Sequence, residues 1–140
     1  MKITTDTNVL ISATFWTGSS YKILDLIDKK QIELILSSAI IGEYKDVVNR
    51  EEITDKVANK KLITSSAVDK AVNEASIIQP INKLEVVKND PDDDKILETA
   101  IEGEVDYIVS RDKHLLNLKK FEGIEILTPE EFLKKISKNT

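Results

Sequence analysis

At 140 residues, 41% apolar and 32% charged, the chain has the size and composition of a globular domain with its own core, and residues 1–140 are expected to form a single domain. It contains no cysteine, which excludes a disulfide framework and any thiolate ligand or nucleophile and suits a reducing, cytoplasmic setting. The net charge is −5, but seven acids fall in one suspected site (Asp6, Glu43, Asp90, Asp92, Asp93, Asp94 and Asp112), and removing those seven negative charges leaves +2 for the rest, so the balance neither excludes nor predicts a nucleic-acid partner.

The first residues turn polar too soon for a signal peptide, and no apolar run approaches the roughly 20 residues that cross a bilayer, so no membrane partner is expected. Lys2–Thr5 reads as a short buried strand ending at Asp6. Ser20–Lys30 carries Ile23, Leu24, Leu26 and Ile27 at helical spacing. Ile32–Leu36 is an apolar run, taken as the second strand, after which Ser37 or Ser38 caps a helix reaching about Arg50. A helical stretch from about Glu52 to Ser76, broken near Leu62–Ser66, leads to a weak extended segment at Glu85–Val87. Asp92–Glu102 is a helix ended by Gly103, and Val105–Ser110 and Ile124–Leu127 are strands. Thr128-Pro129-Glu130-Glu131 opens a last helix with proline at its first position. Strands alternating with helices imply an α/β domain of three layers, α/β/α, around a central parallel sheet of four strands, with a fifth near Ile77–Ile81.

In such a sheet the strand C-ends and the N-ends of the following helices share one edge, where ligands bind. Asp6 ends the first strand, and Asp112 follows a later one by two residues. Asp93 lies in the first turn of its helix and Glu43 within about two turns of the start of its own, so all four acids map to that edge. Helical angles choose among neighbours. Against Ile96, Leu97, Ala100 and Ile101, Asp93 points to the middle of the apolar face, whereas Asp92 and Asp94 fall to either side. Against Ile40, Ile41, Tyr44, Val47 and Val48, Glu43 borders the apolar face and Asp46 turns away. A carboxylate on an apolar face has to be paired or ligated, and several at one edge repel unless a cation joins them. Hard oxygen donors favour Mg²⁺ or Mn²⁺. Plainer readings stand beside this one. Asp90–Asp94 can be a turn and helix cap, Asp6-Thr7-Asn8 a strand-to-helix turn, and Glu43 a surface acid.

The segments Asp6-Thr7-Asn8-Val9-Leu10-Ile11, Ser38 to Glu43, Asp90-Pro91-Asp92-Asp93 with Leu97 and Ala100, Ser110-Arg111-Asp112 with Leu115-Leu116, and Gly123 to Leu133 together resemble the PIN-domain family of metal-dependent nucleases. Their order and spacing span nearly the whole chain, and they look most like the small prokaryotic PIN proteins classed as toxins of toxin–antitoxin pairs. The resemblance implies Mg²⁺- or Mn²⁺-dependent cleavage of RNA by Asp6, Glu43, Asp93 and Asp112, with Asn8 and Ser110 as accessory polar positions. Asp94 is a further accessory candidate. Many members have another acid two residues past the position of Asp112; here that residue is His114, which leaves one or two metals open.

On this reading Asp6, Asp93 and Asp112 hold the metal, and Glu43 positions a metal or the attacking water of a phosphodiester hydrolysis. Arg50, Arg111, Lys113 and the cluster Lys56, Lys60 and Lys61 are candidates for holding the RNA backbone, or else a solvated basic face. The resemblance also implies a homodimer and an antitoxin covering the acidic edge; the apolar residues Phe15, Trp16 and Tyr21 near the first helix are candidate contacts, with a place in the core as the alternative for Trp16. Two rivals remain: a phosphatase with Asp6 as nucleophile, for which Asn8 stands where that class has a second Asp, and a non-catalytic RNA-binding or interaction module.

Overall fold

A computed structural model of the chain describes residues 1–10, 18–48, 68, 70–79 and 91–138; for Val48, Pro91, Asp92, Asp93 and Lys138 it describes the backbone alone. The readings of a helix between about 52 and 67 and of a strand at 85–87, and the residues Phe15, Trp16, Arg50, Lys56, Lys60, Lys61 and Asp90, lie outside that set.

The described elements are β1 (Lys2–Thr5), α1 (Ser19–Asp28), β2 (Glu33–Ser37), α2 (Ser38–Val48), β3 (Ser76–Ile78), α3 (Pro91–Glu102), β4 (Tyr107–Val109), α4 (Lys113–Leu118), β5 (Lys120–Phe121), β6 (Ile124–Leu127) and α5 (Pro129–Lys138). Residues 7–10 and 70–74 are helical as well. The strands form one sheet in the order β3-β2-β1-β4-β6-β5, the middle layer of an α/β/α domain. All pairings are parallel except that of β5 with β6. The strand expected near Ile77 is β3. The sequence reading makes no provision for β5, a two-residue strand turned back on β6 through Glu122 and Gly123, both at positive φ (51° and 81°). Its signal is too short for a hydrophobic period to register.

The strand order places the ligand edge. From β1 the chain builds outward through β2 to β3, then returns past β1 to β4 and continues to β6. The direction of building therefore reverses between β1 and β4, and the C-ends of those two strands are where sheets of this kind bind ligands. The core beneath it is aliphatic, with Ile3, Leu34, Leu36, Ile108, Leu97 and Leu115 buried, and Tyr44 and Phe132 as its largest members. α1 packs on α5, while α3 lies against β1, β2 and β4 and also touches α2.

Two details of α3 differ from the helical-wheel expectation. Ile101, counted on the apolar face, is 38% exposed, and Asp94, placed to one side, is buried at 7%. A wheel assumes one contact face, but α3 is covered by the sheet and by α2. The helix also ends differently. Gly103 does not take the left-handed position; Glu104 does, at φ 51°, with its N–H on Ile101 O (3.2 Å) and the Val105 N–H on Ala100 O (3.2 Å). Gly103 is required for a different reason: a Cβ there would lie 2.5 Å from Ile35 Cγ2, so its bare backbone lets the end of α3 sit directly on β2.

Candidate active site at the sheet switch point

Asp6 sits one residue past β1, with its backbone N–H still directed to Val109 O on β4 (3.4 Å). The chain turns there into a helix, and Asp6 caps it: Val9 N–H donates to Asp6 Oδ1 at 2.9 Å. Asp112, just past β4, does the same for α4, accepting the His114 N–H on Oδ1 at 2.8 Å. The plain strand-to-helix reading of Asp6 is thus correct as far as it goes, and it leaves Oδ2 of each residue for other work.

Ser110 links the two acids. Its buried hydroxyl donates to Asp6 Oδ2 in a very short contact and accepts the Asp112 N–H at 2.9 Å. The Arg111 backbone N–H also supports the Asp6 carboxylate. Asp6 is only 6% exposed. Burial pushes its pKa up; the bonds from Ser110, Val9 and Arg111 pull it back, and the nearby charge of Asp112 pushes it up again, for a net rise. Asp112 is less enclosed, with its side chain 25% exposed, and His114 Nδ1 stands 3.7 Å from its Oδ1.

The other expected site residues are placed as follows. Glu43 is half-buried on α2, and Asp94 is buried on α3, two helices that touch. The backbone of Asp93 is in the first turn of α3, as expected, and its side chain lies outside the described set. Asn8 and Lys113 are exposed. Arg111, expected on the RNA backbone, is engaged by Glu130, with Nη2 2.8 Å from Glu130 Oε1. The described residues therefore unite Asp6, Ser110 and Asp112. Among them, no three His, Cys, Asp or Glu side chains form a metal-holding group.

A divalent cation suits what is present. Asp6 is a buried carboxylate facing a second negative charge, and a cation would relieve both penalties. The available donors are all hard oxygens, as Mg²⁺ and Mn²⁺ require.

A doubly wound sheet with paired carboxylates at its switch point defines a class of α/β proteins that bind or process ligands at that edge. Residues 2–114 match the model of the PIN domain, and the chain belongs to that family, whose members are generally nucleases. No curated protein matches the chain. Among solved structures it is similar to a chain of VapBC2 from Rickettsia felis bound to a DNA fragment from their promoter, with 18% identity, TM-score 0.60, and coverage of 90% of this chain and 97% of that one. It is also similar to PAE2754 from Pyrobaculum aerophilum, with 13% identity, TM-score 0.56, and coverage of 99% of both chains. At these identities the likeness is one of fold.

Proposed function

We propose that the chain is a single-domain, divalent-metal-dependent endoribonuclease, cytoplasmic, and the toxin component of a toxin–antitoxin pair. The observation that carries this reading is the Asp6–Ser110–Asp112 constellation at the sheet switch point of a PIN-family chain. Asp6, Asp112 and Asp93 would hold Mg²⁺ or Mn²⁺, and Glu43 would position the ion or the attacking water. When bound, the ion lowers the pKa of water and offsets charge on the phosphate. Ser110 orients Asp6 and fixes the backbone that presents Asp112, with Asn8 and Asp94 as accessory groups. Arg111 and Lys113, together with Arg50, meet the RNA phosphates. The fold likeness to a chain of VapBC2 supports an antitoxin partner, and the chain's own assembly is proposed to be a homodimer. No helix among the described residues is long and apolar enough to cross a membrane.

The phosphatase alternative is disfavoured by Asn8, which stands where that class has a second Asp two residues after the nucleophile. A cation that binds only the folded state raises its stability by mass action, by about 2.7 kcal/mol at 100 times Kd. Thermal melts in EDTA and in millimolar Mn²⁺, beside RNase and phosphatase assays, test the reading. A Tm rise of several degrees with Mn²⁺-dependent RNA cleavage is expected; identical melting curves would contradict it.

A further inference from the structure

Resting on the ribonuclease reading, we propose that Glu130 is a positioning residue that holds the Arg111 guanidinium at the ligand edge for a phosphate of the RNA strand. Arg111 lies between the two residues that make the site, Ser110 and Asp112, and its own backbone N–H supports Asp6. The root of the side chain is therefore tied to the acid pair. Its head is not: an arginine carries about 2 kcal/mol of rotamer entropy, and this one is 40% exposed.

Glu130 supplies the missing constraint. β6 pairs with β4 in parallel, so the first turn of α5 arrives at the same edge as Arg111, although 19 residues separate the pair in sequence. That first turn is stiff. Pro129 occupies its first position, and Thr128 and Glu131 close a reciprocal capping box, with Thr128 N–H on Glu131 Oε1 at 3.0 Å and Glu131 N–H on Thr128 Oγ1 at 3.1 Å. The backbone that carries Glu130 is thereby fixed, and its carboxylate, 56% exposed, meets Arg111 Nη2 at 2.8 Å. One such bond uses one of five guanidinium donors, so the fork that recognises phosphate is steadied rather than consumed. An exposed ion pair adds little to folding stability, so its effect falls on the orientation of the guanidinium. Glu130 lies beyond the residues 2–114 that match the family model.

The sign of the effect distinguishes this role from an idle or competing acid. If Glu130 only adds negative charge beside RNA, or blocks Arg111, its removal tightens binding; if it positions Arg111, removal weakens binding. The experiment measures anisotropy of a short fluorescein-labelled single-stranded RNA in EDTA and steady-state cleavage of the same RNA in Mn²⁺. It uses Glu130→Ala, Glu130→Gln, Arg111→Ala and the double variant Arg111→Ala/Glu130→Ala. For Glu130→Ala the expected result is a roughly threefold rise in Kd and KM with kcat unchanged, the scale of one exposed ion pair. Glu130→Gln, whose amide oxygen still accepts from Arg111, restores most of the loss. In the Arg111→Ala background the Glu130→Ala effect disappears. Tighter or unchanged binding by Glu130→Ala, or the same loss without Arg111, overturns the positioning role while leaving the ribonuclease reading intact. A wild-type protein that neither binds nor cleaves the RNA removes that reading, and this role with it.

Discussion

Replacing Gly103 with alanine tests how the helix that carries Asp93 is seated. The added Cβ would stand 2.5 Å from Ile35 Cγ2, against an ordinary carbon–carbon contact of about 3.5–4.0 Å, so roughly 1 Å of movement is required. Ile35 is buried and pairs with Ser76 in the middle of β2, so it has little room to withdraw. Overpacking of this kind costs about 1–3 kcal/mol. Gly103 does not have positive φ, so alanine also lowers the entropy of the unfolded chain, recovering about 0.4–1 kcal/mol. The net expectation is a loss of about 1–2 kcal/mol, or about 3–7 °C in Tm for a chain of this length. Urea and thermal unfolding followed by far-UV circular dichroism measure it. Ile35→Ala alone leaves a cavity that the new methyl partly fills, so the double variant should be less destabilised than the sum of the singles, by about 1 kcal/mol. If Gly103→Ala is as stable as the parent and the double variant is additive, the close seating of α3 on β2 is wrong.

Glu104→Gly should raise stability by about 0.5–1 kcal/mol, because glycine relieves a left-handed residue at φ 51° at some entropic cost in the unfolded chain; a lower Tm would contradict the cap geometry. The raised pKa of Asp6 means that the folded state binds a proton more readily than the unfolded chain does. In EDTA its contribution therefore opposes folding at neutral pH, and that opposition fades as pH falls through the folded pKa towards the ordinary value of 3.8. Asp6→Asn should remove this slope and raise metal-free stability at pH 7, as read from urea midpoints across pH. An unchanged slope would show that Asp6 is not the strained group.

The placement of Asp6 and Asp112 at one edge of the sheet was legible in the sequence because strand ends are legible. Asp112 closely follows the apolar run Tyr107–Val109, and Asp6 directly follows the β-branched stretch Ile3-Thr4-Thr5; in a parallel sheet two strand ends of this kind fall on one edge. The sequence could not show that they are neighbours there, since that depends on β4 returning to pair with β1, a long-range choice with no local signature. The contact of Arg111 with Glu130 was hidden for the same reason, depending on β6 lying next to β4. Gly103 illustrates a subtler miss. A glycine after a helix suggests a left-handed cap, but the neighbouring Glu104 takes that conformation, and only the three-dimensional approach of Ile35 explains why position 103 lacks a side chain. Asp94 shows the limit of the helical wheel, whose single apolar face cannot register a helix covered from two sides.

The central claim is tested most directly by single-turnover cleavage of a labelled RNA in Mn²⁺, with the folding of each variant confirmed. Asp6→Asn, Asp93→Asn and Asp112→Asn, which keep shape and remove a ligand charge, should each lose at least 10²-fold in rate, the scale of electrostatic groups in active sites. Exposed Asp46→Asn should keep most of it, and buried Asp94→Asn should lose roughly 10-fold or less as a supporting group. If Asp94→Asn is dead while Asp93→Asn is active, the ligand on α3 is Asp94; if the Asp6, Asp93 and Asp112 variants all cleave at the wild-type rate, the acidic switch point is not a nuclease site.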